Sequence, residues 1–121
     1  MEMEVEQTHL INAQDQASQY IHYIDEAMAA PDPDEMRSHI QDALAYGQNV
    51  LDHLDEASEQ CVNPDVLDLV DEATQHIALS IDEGDQALDS SDEEIEEHVS
   101  EMRRHALNAS NDIMQALGMP L

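Results

Sequence analysis

Apolar residues recur along the chain at alternating spacings of three and four, the rhythm that lays one stripe along an α-helix. Leu10, Ala13, Ala17, Tyr20, Ile24 and Ala27 form the first stripe, and a displacement of 30 positions reproduces it as Ile40, Ala43, Gly47, Val50, Leu54 and Ala57. A third runs through Val70, Ala73, Ile77, Ser80, Gly84 and Ala87, and a fourth through Ile95, Val99, Met102, Ala106, Ala109, Ile113 and Ala116. With Leu10 as heptad position a, these are a and d positions. Position e is apolar too, at Ile21, Met28, Leu44, Leu51, Leu67, Ile81, Leu88 and Leu117, which predicts a buried a/d/e face. Small residues in the middle of each stripe predict close helix approach and little central room for a bulky cofactor such as haem.

Punctuation divides the stripes. Asp32, Pro33 and Glu35 make a cap, a first-turn proline and a capping-box acid, and Asn63 with Pro64 repeats the device. Ser91 with Glu94 offers a third start, and Gly118 with Pro120 a final stop. The expectation is helices over 5–29, 33–60, 64–89 and 92–117. They predict an all-α, antiparallel up-down-up-down four-helix bundle, with 1–121 as one domain and an internal repeat.

Charge changes the range of partners. Three arginines, Arg37, Arg103 and Arg104, stand against 29 acidic residues, for a formal net charge of −26. Such a surface repels nucleic acid and anionic membranes, so cations are the expected partners. It also predicts a salt-adapted, halophilic protein, because self-repulsion eases only when salt screens it. A lone cysteine, Cys61, builds no intrachain disulfide or thiolate cluster and reads as a small hydrophobe. No apolar run reaches 18 residues and the first residues lack a signal-peptide pattern. A soluble, cytoplasmic protein is expected, or a periplasmic or secreted one if a signal peptide has been removed.

Six of the seven histidines share one heptad position. His9, His39, His53, His76, His98 and His105 all fall at g, beside the apolar stripe, and only His22 falls elsewhere. In an antiparallel bundle neighbouring helices meet through g-to-g and e-to-e seams in turn. One winding brings His9 to His53, Gln16 to Tyr46, Tyr23 to His39, His76 to His105 and Glu83 to His98. The opposite winding brings His39 to Glu83 and Tyr46 to His76. Glu35, Glu72, Glu94 and Glu101 stand four residues before His39, His76, His98 and His105, on the same helical face. Paired imidazoles with a nearby carboxylate suit Cu(II), Ni(II) or Zn(II) better than Mg(II), and binding should weaken as pH falls. The same pairs also serve as plain helix-stabilising contacts worth about 0.2–0.5 kcal/mol each. Met28, Met36, Met102 and Met114 read as core fillers rather than Cu(I) ligands.

The segment "HIQDALAYG" from His39 to Gly47, and more loosely "HIALSIDEG" from His76 to Gly84, resembles the repeat of the small metal-binding protein family. That family consists of histidine-bearing four-helix bundles that take copper and other divalent metals. His39, Ala43 and Gly47 match the pattern, as do His76 and Gly84, while His9 with Ala13 and His105 with Ala109 keep its beginning. Tyr46 and Glu83 stand where the family has a second histidine, which implies fewer ligands here. The resemblance implies a periplasmic metal binder.

Other classes fit less of the pattern. Di-iron bundles need core Glu-x-x-His pairs, whereas the spacing here is Glu-x-x-x-His and the histidines flank the core. Hemerythrin-like bundles are similar in size, but their HxxxH pair is missing, and c-type haem attachment needs an absent C-x-x-C-H. A histidine phosphotransfer domain would place a lysine where Asp42 or Leu79 stands, and its phosphoryl group would meet strong like-charge repulsion. No nucleophile, base and orienting group occur together, so no enzyme is expected. Non-enzymatic metal sequestration or buffering therefore leads, with an acidic structural or protein-interaction bundle as the alternative and phosphotransfer a distant third.

Overall fold

The computed structural model describes the backbone of residues 2–61 and 63–118, with side chains from Thr8 onward within those ranges. Four helices follow one another: α1 (Glu2–Ala29), α2 (Pro33–Gln60), α3 (Pro64–Asp89) and α4 (Ile95–Leu117). They pack as an antiparallel four-helix bundle in which α1 lies on α2 and α3 on α4 most extensively, with α1–α4 and α2–α3 as lesser seams.

The caps explain the element boundaries. Asp32 accepts the Glu35 N–H at 2.8 Å and Asn63 accepts the Asp65 N–H at 2.9 Å, each just before a first-turn proline that has no N–H to satisfy. Helix α4 begins later than expected. Residues 92–94 form a turn closed by the Ser91 carbonyl, which accepts from Glu94 N and Ile95 N, and the helix has no side-chain cap. Gly118 ends α4 in a right-handed conformation, its N–H reaching the Met114 and Gln115 carbonyls, while Pro120 lies outside the described residues.

Every a and d residue of the four stripes is buried. Position e is not: Ile21, Leu44, Leu51, Leu67, Ile81, Leu88 and Leu117 are half-buried, as are the g residues across the stripe apart from the buried Asp112. The core is thus an a/d core with e and g as its two flanks, because each flank lies along a seam rather than under a neighbouring helix. Met36 and Met102 fill the core as expected, but Met28 and Met114 are 47% and 58% exposed. Met114 lies one position past Ile113, on the outer side of the stripe. The late start of α4 leaves the last turn of α1 uncovered, so Met28 borders an open hollow of about 180 Å³ with Met36, Glu96, Val99 and Ser100.

A polar chain crosses the centre of the core. The Ser80 hydroxyl donates to the Met102 carbonyl at 2.6 Å, and the Tyr20 hydroxyl, 2.6 Å from Ser80 Oγ, must then be the donor of that pair. Burial pushes the Tyr20 phenol above its ordinary range, so it stays a neutral donor. Gly47 makes room for the ring, since a Cβ there would stand 3.1 Å from both Tyr20 Cε1 and Ile81 Cγ1. Two of the three arginines brace the bundle: Arg37 on α2 reaches Asp92 at 2.6 Å and the Ser90 carbonyl at 3.2 Å, and Arg103 on α4 reaches Asp25 on α1 at 2.6 Å.

Candidate metal sites on the helix seams

The winding of the bundle selects the first of the two histidine pairings. The His9 and His53 rings lie 6.3 Å apart across α1–α2, the His76 and His105 rings 6.3 Å apart across α3–α4, and His98 Nδ1 lies 2.9 Å from Glu83 Oε2. Two expected neighbours differ. Tyr23 stacks on Tyr46 at 5.2 Å instead of meeting His39, and Gln16 accepts from Asn49 at 3.1 Å instead of meeting Tyr46. Side chains of a g ladder interdigitate, so each faces two partners, and Tyr46 takes the one that offers an aromatic face.

Two groups of three potential ligands emerge among the described residues, in each of which one donor atom per residue lies within 4.8 Å of the others. The first is His9 from α1 with His53 and Glu56 from α2. His9 Nδ1 is buried and stands 3.0 Å from Glu56 Oε2, yet too far off the N–H direction to form a hydrogen bond. The second is Glu72 and His76 from α3 with Asp112 from α4. Here His76 Nε2 lies 3.8 Å from both Glu72 Oε1 and Asp112 Oδ2.

Local sequence sets both groups. His53 and Glu56 are three apart and Glu72 and His76 four apart, so each pair shares a helical face, and the remaining ligand comes from the helix across the g seam. Ligand atoms around a tetrahedral ion with bonds near 2.1 Å are about 3.4 Å apart, so closure asks for small side-chain rotations rather than helix movement. Asp112 is the most buried ligand, 8% exposed, with Oδ2 lacking a hydrogen-bond partner among the described residues. Desolvation raises its carboxyl above the usual carboxylate range, the Glu72 charge raises it further, and His76 opposes both.

The other expected ligands lie apart. His39 belongs to neither group, although its Nδ1 is buried without a hydrogen-bond partner, and no ion pair joins it to Glu35 among the described residues. His98 is taken by Glu83 rather than Glu94. Glu101 lies 4.0 Å from His105, but Arg104 holds it with two hydrogen bonds and draws its carboxyl below the usual range. His105 stacks against His76 without joining the ligand group.

Glu56 and Asp112 are the ligands that the glutamate-before-histidine rule misses. Asp112 had a visible signal, since it continues the g series His98, His105 by one heptad. Glu56 had a weaker one, lying after its histidine instead of before it.

No helix among the described residues is long and apolar enough to cross a membrane. No family model, curated protein or solved structure matches the chain, so the geometry of these two ligand groups stands on its own.

Proposed function

We propose that the protein binds divalent transition-metal cations, such as Cu(II), Ni(II) or Zn(II), at the two g seams, and serves in sequestration or buffering rather than catalysis. The observation that carries this reading is the convergence of three donors from facing helices, twice, around histidines that a plain bundle has no need to align. Neutral imidazole with carboxylate is a donor set for borderline ions, and each ion would fasten two helices. The reading agrees with what the resemblance to small metal-binding proteins implies, with the ligands moved to His9, His53, Glu56, Glu72, His76 and Asp112.

Calorimetric titration of the chain with Zn(II) at neutral pH in high salt tests it. Two equivalents are expected for the native sequence and one each for His53→Ala and Asp112→Asn, while His39→Ala changes nothing. Binding should weaken as pH falls, since protons compete for the same donors. Absence of saturable uptake of all three ions, or uptake unchanged in the His53→Ala/Asp112→Asn double variant, would sink the reading and leave an acidic structural or interaction bundle.

A further inference from the structure

The two ligand groups are not copies of one another. His9, His53 and Glu56 offer two imidazoles and one carboxylate, whereas Glu72, His76 and Asp112 offer one imidazole and two carboxylates. Nitrogen-rich sets favour Cu(II), Ni(II) and Zn(II), and oxygen-rich sets extend the range toward Mn(II) and other octahedral ions.

Asp112 shows that the second group is more than an acidic patch. Its side chain comes from α4 and is 12% exposed, and its fully buried Oδ2, without a hydrogen-bond partner among the described residues, lies 3.8 Å from the same His76 nitrogen that the more exposed Glu72 approaches. Two carboxylate oxygens within 4.8 Å of each other repel without a cation between them. A protein with so few positive side chains could still have paired Asp112 with an arginine, as it pairs Asp25 and Asp92. Among the described residues this carboxylate instead faces an imidazole and a second acid.

We infer that Glu72, His76 and Asp112 form a distinct site for a hard octahedral divalent cation of the Mn(II) class, with water in the remaining positions, separate from a borderline-metal site at His9, His53 and Glu56. The inference rests on the metal-binding reading above and adds a division of labour to it. Cu(II) and Zn(II) still outrank Mn(II) in absolute affinity at any such site, so the distinction lies in where Mn(II) goes when it is offered alone. His105 lies outside the donor set, its Nε2 4.0 Å from Glu101.

The test is a Mn(II) titration of the full chain in about 1 M KCl, where a Debye length of about 3 Å suppresses diffuse attraction to the acidic surface. The paramagnetic resonance signal of unbound Mn(II) reports uptake. One saturable equivalent is expected; Asp112→Asn and Glu72→Gln should each weaken it about tenfold or more, with His9→Ala, His53→Ala and His105→Ala within about twofold of the native chain. Circular dichroism confirms that each variant remains helical, and Glu72→Gln, at an exposed position, keeps the test open if Asp112→Asn does not fold. Saturable Cu(II) or Zn(II) binding with no saturable Mn(II) uptake, or Mn(II) uptake that falls as much in His53→Ala as in Asp112→Asn, overturns the inference and leaves the metal reading standing. No saturable uptake of any of these ions overturns both.

Discussion

Asp112 is a buried acceptor whose cost to folding a ligand role would explain. A buried acceptor without a partner is destabilising by about 1–3 kcal/mol, and here His76 offsets part of that. Because the folded-state carboxyl titrates above its unfolded value, the penalty is absent at low pH, where both states are protonated, and develops as pH rises through the folded pKa. Asp112→Asn should therefore raise the thermal stability of the metal-free chain near neutral pH, by up to about 1 kcal/mol, while impairing metal uptake. Melting curves of both proteins near pH 7 and pH 3 check this, and a variant less stable near neutrality would contradict it. The two core glycines make a second comparison. A Cβ on Gly47 would press on Tyr20, which Ser80 holds in place, whereas a Cβ on Gly84 would meet the ends of Leu44 and Met102, which can turn aside. Gly47→Ala should cost about 1 kcal/mol, overpacking of about 1–3 kcal/mol being partly offset by helix propensity. Gly84→Ala should cost less, and denaturant unfolding of the two variants side by side decides it.

The helix starts differ in how they are held, with consequences for mutation. Asp32→Ala removes a side-chain cap and should cost about 1 kcal/mol. Ser91→Ala should be close to neutral, because only the Ser91 carbonyl takes part in the turn before α4. The three-four spacing made the stripes and all four helices readable from sequence, and Asp32-Pro33 and Asn63-Pro64 fixed two starts to the residue. Ser91 misled because a capping-box pattern competes with a backbone turn that satisfies the same N–H groups. The g alignment of the histidines was equally legible, but which g residues meet depends on the winding of the bundle and on half-heptad interdigitation, neither of which a linear pattern contains. That is why the meeting of His9 with His53 stayed one of two open pairings, and why the stacking of Tyr23 on Tyr46 and the place of Asp112 beside His76 were not readable beforehand. His39, prominent in the repeated segment, sits on the same g face but belongs to no three-donor group among the described residues.

Across the bundle, packing and electrostatics oppose each other. An a/d core holds four helices together against a formal charge of −26, braced by Arg103 between α4 and α1 and by Arg37 between α2 and the α3–α4 connection. Lowering salt from about 1 M to about 10 mM extends the Debye length from about 3 Å to about 30 Å, and the metal-free chain should then lose helicity or melt earlier. Divalent cations at the seams would relieve the same repulsion locally, so the stabilisation conferred by Zn(II) should be greater at low salt than at high salt. Equal melting temperatures across that range, with and without metal, would contradict this account of the charge.

Metal binding at the seams through His9, His53 and His76 is read out by the imidazole nitrogen resonances of the ¹⁵N-labelled chain as Zn(II) is added. His9, His53 and His76 should move to metal-bound positions and saturate, while His22, His39 and His98 keep their signals. Uniform small shifts of all the histidines, or none at all, would contradict it.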